Sequence, residues 1–192
     1  MALDIVILGP PGAGKGTQGQ RISAELGVPH INTGDMYRAA IAAGTALGDR
    51  VHPYLERGEL VPDDLTIDVV RHRLSQADTA EGFVLDGFPR TLPQAEALDA
   101  ILAESDRELS VILDFHLSEE LAEQRLLKRA LEQRREDDTP EVIHRRMETM
   151  RVPDALVEYY RARGILVGIH AERSIDEVFA EVQSVLQAAA AR

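Results

Sequence analysis

Short apolar runs alternate with amphipathic stretches along this chain. The apolar runs have the length and composition of buried strands, and they cover residues 3–8, 28–31, 82–86, 110–116 and 165–169. The stretches between them have helical patterning, at 35–43, 47–57, 62–75, 95–103, 121–129, 139–163 and 175–189. Pro153 is expected to break the sixth of these helices. Strands that alternate with helices predict an α/β fold, a parallel sheet covered on both faces. At 192 residues we expect one compact domain with small inserts.

The first strand leads into a glycine-rich turn, Gly9-Pro-Pro-Gly-Ala-Gly-Lys-Gly-Thr17, and Ile22 and Leu26 follow with helical spacing. Strand, glycine-rich turn and helix are the context of a phosphate-binding loop, since glycines let backbone N–H groups turn inward at a helix N-terminus. Lys15 would set an ammonium against the phosphates. Gly16 stands where the usual motif has a Ser or Thr whose hydroxyl binds magnesium. A direct bond from a hydroxyl to magnesium is therefore not expected here. A plain glycine-rich turn is the alternative.

Composition narrows the classes of function. The chain has 19 arginines but two lysines, and one of the two is Lys15, where a compact ammonium suits a phosphate. A formal net charge of −12 argues against nucleic-acid binding. The absence of cysteine excludes disulfides and Cys-based zinc sites, and the six histidines lack ligand spacing, so no structural zinc is expected. No apolar run is long enough for a membrane span and no signal peptide is expected, which favours the cytoplasm.

Further candidates for chemistry follow the strands. Thr33 could bind a ligand or simply cap a helix. Asp86 ends a strand beside the loop and could bind magnesium or its waters, or form an Asx turn. Arginines cluster further on, where Arg125 and Arg129 share one helix face. The cluster could bind phosphates or form surface ion pairs with nearby acids; it comprises Arg125, Arg129, Arg134, Arg135, Arg145 and Arg146.

Five motifs occur in order along the chain: the loop at 9–17, Thr33-Gly-Asp-Met with Arg38, residues 58–62, Asp86-Gly-Phe-Pro-Arg90 with Gln94, and Arg135-Glu-Asp-Asp. Together they make the chain resemble the adenylate kinase family from end to end. The resemblance implies a P-loop NTPase fold with a central five-stranded parallel sheet flanked by helices. It further implies a core domain of residues 1–31, 62–129 and 135–192, a nucleoside-monophosphate (NMP)-binding insert at 32–61 and a short lid at 130–134.

The resemblance also implies a role for each matching residue. ATP would be held by Gly12, Ala13, Gly14, Lys15, Gly16, Thr17, Arg129 and Arg173. AMP would be held by Thr33, Arg38, Glu59, Leu60, Val61, Gly87, Phe88, Pro89, Arg90, Gln94, Arg135 and Arg146. The residues implied in catalysis are Lys15, Arg90, Arg125, Arg135 and Arg146. Asp86 would hold Mg²⁺ through water. The implied partners are ATP, AMP and ADP, and the implied state is a monomer.

The chain departs from the family pattern in three places. The lid is short, residues 150–156 are one residue shorter than usual, and His170-Ala171 replaces an Asp-Gly pair. Two other functions stay open. A UMP/CMP kinase of the same fold is disfavoured by Thr33 and Gln94, which suit adenine. A nucleotide-binding regulator without phosphotransfer would leave Arg38, Arg90 and Gln94 unexplained.

Overall fold

Five parallel strands form the centre of the molecule, as the sequence predicts. The computed structural model describes residues 3–133 and 139–191, with the backbone alone of Gln133. The strands are β1 (Leu3–Leu8), β2 (His30–Asn32), β3 (Gly82–Asp86), β4 (Val111–His116) and β5 (Leu166–His170). They pair in the order β2-β3-β1-β4-β5, so the first strand lies in the middle. The four strand pairings are all parallel, which confirms the α/β interpretation.

The strands are joined through helices. In the described part of the chain these are α1 (Lys15–Leu26), α2 (Thr33–Ala42), α3 (Ala46–Glu56), α4 (Asp63–Leu74), α5 (Leu92–Ala103), α6 (Glu119–Gln133), α7 (Pro140–Thr149), α8 (Asp154–Ala162) and α9 (Ile175–Ala190). A single 3-10 turn, Ala77–Thr79, precedes β3. None of these helices combines the length and the apolar character that crossing a membrane would take.

Side chains alternate between the two faces of the sheet and build two cores. On one face Val6, Phe83 and Leu85 pack with side chains of α5 and α8. On the other face Ile5 and Ile7 pack with side chains of α1 and α9. Because both faces are covered, β1 and β3 are buried along their whole length, which explains their nearly continuous apolar sequences.

A third, smaller core lies in the segment between β2 and α4. Tyr37, Val51, Leu55, Val61 and Leu65 pack together, and Tyr37 donates a hydrogen bond to the Thr66 hydroxyl at 2.9 Å. Helices α2 and α3 therefore have an apolar cluster of their own, anchored on the first turn of α4.

Three helix boundaries test the sequence prediction. Helix α7 ends at Thr149 and α8 begins after Pro153, so the predicted break is confirmed. Helix α2 begins at Thr33, two residues early, and its N-cap is Asn32, whose side chain accepts a hydrogen bond from the Asp35 N–H at 3.0 Å. The interpretation of Thr33 as a helix cap is therefore wrong.

Helix α6 runs four residues beyond the predicted end at 129. Ala130, Leu131, Glu132 and Gln133 are all good helix formers, so the helix propagates through them. The predicted lid at 130–134 thus begins inside α6. Its last residue, Arg134, lies outside the described residues, as do Arg135 and the acidic residues 136–138.

Candidate active site

An open cleft of about 700 Å³ lies where β1, β2 and β3 end. Parallel strands present their carboxyl ends at one edge, and ligand sites of open α/β sheets form there. We call residues 9–17 with Arg125, Arg129 and Arg173 the P-loop side of the cleft. We call Thr33, Arg38 and residues 59–61 and 87–94 the insert side. Of the residues predicted from sequence, the cleft is lined by Gly12, Ala13, Gly14, Lys15, Gly16, Thr17, Thr33, Arg38, Glu59, Leu60, Val61, Asp86, Gly87, Arg90, Gln94, Arg125, Arg129, Arg146 and Arg173.

The glycine-rich loop on the P-loop side has a conformation that side chains would block. Gly12 has a φ of +83°, and a Cβ built on it would lie 2.5 Å from the Ala122 carbonyl oxygen. Gly14 precedes α1 in the left-handed region and leaves the first turn of that helix open to the cleft. No acidic residue stands in that first turn, so the positive end of the helix remains available to an anion.

Lys15 lies at the bottom of the loop, where its side chain folds back on the backbone. Its Nζ donates hydrogen bonds to the carbonyl oxygens of Gly9 at 2.9 Å and Pro10 at 2.7 Å. Burial lowers the pKa of Lys15 to about 7, an effect that the Asp86 carboxylate opposes and the Arg90 and Arg129 charges reinforce. The lysine is thus held ready for a strong anion that would restore its charge.

Asp86 ends β3 opposite Asn32 of β2, and the two side chains join across the strands. Asn32 Nδ2 donates to Asp86 Oδ2 at 2.7 Å. Burial would raise the pKa of Asp86, but the His30 ring, 3.8 Å away, and the charges of Lys15 and Arg90 outweigh it, so the pKa is lowered. Asp86 is therefore an ionised carboxylate in a buried position, and the Asx turn alone does not account for it.

The predicted arginine cluster divides into two groups. Arg125 and Arg129 of α6 and Arg146 of α7 line the cleft, and Arg146 is 7% exposed. Arg125 donates to the Ala171 carbonyl at 2.8 Å, which connects α6 to the loop after β5. Arg145 instead lies on the surface and pairs with Glu59 at 3.2 Å. The surface interpretation therefore holds for Arg145, whereas Arg125, Arg129 and Arg146 lie in the site.

Side chains rather than backbone shape the insert side. Gly87 has a φ of +87°, and a Cβ there would lie 2.5 Å from the Thr33 hydroxyl, so the strand end and α2 meet closely. Arg90 Nε donates to the Gly87 carbonyl at 3.1 Å. Gln94 is 1% exposed and accepts a hydrogen bond from the Arg90 N–H at 2.7 Å through its Oε1. These contacts hold a cation and an amide in the cleft that the apolar residues Leu60 and Val61 also line.

Two predicted AMP residues do not line this cleft. The Phe88 side chain is fully buried in the first core, and Pro89 borders a small separate pocket with Val152 and Leu156. A third, Arg135, lies outside the described residues. Whatever Phe88 contributes to the cleft must come from its backbone.

Sequence reasoning missed several polar residues of the site. His30 and Asn32 line the cleft beside Asp86, and Asp63 binds the Gln94 amide. Asn32 directly precedes a helical stretch, a position that favours capping residues, so its role at α2 could have been found. The contacts of His30 and Asp63 join residues far apart in sequence, and no local pattern indicates them.

The arrangement suits a polyphosphate and a second anion in one cleft. Lys15 and six arginines face it from both sides, in a chain whose net charge is −12. No cluster of three or more His, Cys, Asp or Glu that could hold a metal occurs among the described residues. The ionised carboxylate of Asp86, which lines the same cleft as the glycine-rich loop, nonetheless fits Mg²⁺, which proteins usually bind through one or two carboxylates together with substrate phosphates.

Comparison with known proteins agrees with this geometry. A family model described as "Adenylate kinase" matches residues 7–165. A curated protein of Thermus thermophilus named "Adenylate kinase" is 45% identical over 183 residues, 95% of this chain and 96% of that protein. Proteins of the same name from Thermobifida fusca and Corynebacterium urealyticum are each 44% identical, over 97% and 91% of this chain and 99% and 93% of their own length. The chain belongs to the adenylate kinase family.

Proposed function

We propose that this protein catalyses the reversible transfer of a phosphoryl group from MgATP to AMP, giving two molecules of ADP. The observation that carries the proposal is the continuity of the cleft: a phosphate-binding loop on one side and a buried amide on the other, with arginines between them. The relatives named adenylate kinase, which match 91–97% of the chain, support the same reaction.

The P-loop side would hold ATP. The backbone of residues 12–17 and the N-terminus of α1 would bind the donor phosphates, and Lys15 would leave its two carbonyl partners to contact them. Arg129 and Arg173 would contact ATP from α6 and from the loop after β5. Asp86 would hold Mg²⁺ through water, and the bound ion would neutralise charge on the donor phosphates.

The insert side would hold AMP. Thr33, Arg38, residues 59–61 and residues 87–90 would surround the nucleotide, and the Gln94 amide would meet the base. The phosphate of AMP is already an anionic nucleophile, so no general base is needed. Catalysis is then positioning together with charge stabilisation. Lys15, Arg90, Arg125 and Arg146, with Arg135, would neutralise the transferring group.

Closure over the nucleotides belongs to the same proposal. We propose that residues 32–61 form an insert that binds NMP and that residues 130–134 form a short lid, both attached to the core. Closing them would exclude water and so suppress the hydrolysis of ATP. The apolar cluster around Val51 and Leu55 would let the insert move as a unit. We further propose that the protein acts as a monomer in the cytoplasm, without nucleic acid or membrane.

A coupled assay of ADP formation tests the proposal. The purified protein is given MgATP with AMP, UMP, CMP or GMP, and AMP should be the preferred acceptor by a large factor. Preference for UMP or CMP would instead make the protein a pyrimidine nucleotide kinase of the same fold. Nucleotide binding without turnover on any acceptor would make it a regulator. Light scattering on a sizing column checks the monomer.

A further inference from the structure

Asp63, the first residue of α4, contacts the Gln94 amide across 31 residues of sequence. Its Oδ1 accepts a hydrogen bond from Gln94 Nε2 at 2.7 Å, and its Oδ2 accepts one from the Thr91 hydroxyl at 2.9 Å. Asp63 is not among the described residues that line the cleft, whereas Gln94 is. Any effect of Asp63 on a ligand must therefore pass through Gln94.

The contacts of Gln94 fix which way its amide points. Its Oε1 accepts from the Arg90 backbone N–H at 2.7 Å, while its Nε2 donates to Asp63. A backbone N–H can only donate, and an ionised carboxylate can only accept. Turning the amide by half a rotation would set oxygen against oxygen at Asp63 and hydrogen against hydrogen at Arg90. The two partners therefore allow one orientation.

This orientation leaves a specific pair of groups for a base. A side-chain amide has two N–H donors and two acceptor lone pairs, and the protein uses one of each. The remaining N–H and lone pair match a 6-aminopurine, whose ring N1 accepts and whose amino group donates. A 6-oxopurine presents the opposite pattern, because its N1–H donates and its O6 accepts. It could pair with Gln94 only if the amide turned over.

We propose that Asp63 is a positioning residue that sets base specificity at the acceptor site. By pinning the Gln94 amide, its carboxylate favours 6-aminopurine nucleotides and rejects 6-oxopurine nucleotides. This inference rests on the proposed function, since it needs an acceptor nucleotide whose base meets Gln94. A site with its hydrogen-bonding groups fixed rejects a mismatched base because the mismatch leaves buried polar groups unpaired.

The chain supplies a matched control in the next residue. Asp63 and Asp64 both lie in the first turn of α4, where a carboxylate stabilises a helix through its dipole. Asp64 is exposed, whereas Asp63 is partly buried against Thr91 and Gln94. Changing either residue to Asn removes the same charge from the same helix end. A difference between the two variants therefore reports the contact with Gln94.

The experiment measures kcat and KM with AMP and with inosine monophosphate (IMP) at saturating MgATP, together with Tm. In Asp63→Asn the new amide can turn to donate to Gln94 Oε1, so the 6-oxo orientation no longer opposes two oxygens at residue 63 and keeps only the unfavourable contact with the Arg90 N–H. We expect kcat/KM for AMP divided by kcat/KM for IMP to fall by about tenfold or more. The change should lie in the KM values for these two nucleotides, while KM for ATP stays unchanged. Asp64→Asn should keep the wild-type ratio. Asp63→Ala, which removes the acceptor without adding a donor, should narrow the ratio in the same direction.

Two results would overturn the assignment, and they differ. A wild-type ratio in an active Asp63→Asn variant, with or without a lower Tm, would reduce Asp63 to a stabilising residue and leave the proposed function standing. A wild-type protein that transfers phosphoryl groups to neither nucleotide would overturn the proposed function and this assignment with it.

Discussion

The P-loop side and the insert side of the cleft differ in how they are made. The phosphate-binding loop of the P-loop side is formed by nine consecutive residues, and three of its four glycines, Gly9, Gly12 and Gly14, have positive φ angles that other residues rarely adopt. The insert side is formed by side chains that meet from distant parts of the chain, as Asp63 and Gln94 do. Backbone amides bind any phosphate, whereas oriented side chains can distinguish one base from another. We therefore expect the P-loop side to supply affinity for phosphate and the insert side to select the acceptor.

The largest expected effect is on the P-loop side. Lys15→Met removes the one ammonium at the bottom of the loop and should lower kcat by about 10³-fold, since a preorganised charge on the transferring group is lost. Steady-state kinetics and a melting curve check this. Lys128→Met is the matched control, because the Lys128 side chain also borders the cleft but is 74% exposed and pairs with Glu132 of the same helix. Near-normal turnover in a folded Lys15→Met variant would refute the role given to the loop.

A slightly smaller loss of kcat is expected for Arg146, which lines the cleft from α7. Arg146→Ala should lower kcat by about 10²–10³-fold with little change in Tm, because a guanidinium that stabilises the transferring phosphoryl group is lost. Arg145→Ala, the neighbouring change on the same helix, removes a partly exposed ion pair with Glu59 of the insert side, worth about 0–1 kcal/mol, and no group that faces the transferring phosphoryl group. Its kcat should stay within about threefold of wild type. Similar activities for the two variants would mean that the arginines of the cluster form surface ion pairs and have no role in phosphoryl transfer.

The Arg135 prediction from the sequence extends this experiment. Arg135→Ala should also lower kcat strongly, and its loss should be non-additive with that of Arg146→Ala if both side chains act on one phosphoryl group. Arg134→Ala, to which no phosphate role is given, should be mild. A double-mutant cycle of Arg135 and Arg146 measures the coupling between them. Strictly additive losses in activation free energy would mean that the two arginines act independently.

On the insert side the expected effect moves from kcat to KM. Gln94→Ala removes the partner of the Arg90 N–H and of Asp63 Oδ1, and with it the proposed contact with the base. KM for AMP should rise by about tenfold to a hundredfold, while KM for ATP stays close to wild type. Initial rates with each nucleotide varied in turn make the measurement. Equal rises for both nucleotides would mean that the two sides are not separate sites.

The same contrast explains what the sequence could predict. The loop, the five strands and the break at Pro153 follow from residues adjacent in sequence, so local patterns were sufficient. Of the two alternatives for Thr33, the helix cap is wrong, because Asn32 and Thr33 both suit a cap and only the structure distinguishes them. Helix α6 continues to Gln133, past the predicted end at residue 129, because the residues that follow also favour a helix.

Contacts between distant residues lay beyond sequence reasoning. The Asp63 contact with Gln94 and the approach of His30 to Asp86 depend on how α4, α5, β2 and β3 pack. Nothing in the residues around Asp63 distinguishes it from Asp64, yet only Asp63 reaches the amide. Phe88 shows the converse, because a residue of a matching motif points its side chain into the core.

The smallest expected effect, in the pH dependence of ATP binding, separates the two sides once more. In the free protein burial lowers the pKa of Lys15 to about 7, so its ammonium is lost as pH rises through that value. Bound phosphates should raise this pKa again, because an opposite charge favours the ammonium. ATP should then bind together with a proton above pH 7, and its Kd should rise by about tenfold between pH 6 and pH 8.

Calorimetry in buffers of different ionisation enthalpy measures both the Kd for ATP and the proton uptake. AMP, which we propose binds on the insert side, should show a smaller change, and Lys15→Arg, whose charge does not titrate in this range, should remove the steep dependence for ATP. A Kd for ATP that stays constant across this range, without proton uptake, would mean that Lys15 is already fully charged in the free protein and that its two carbonyl partners, rather than burial, control its proton.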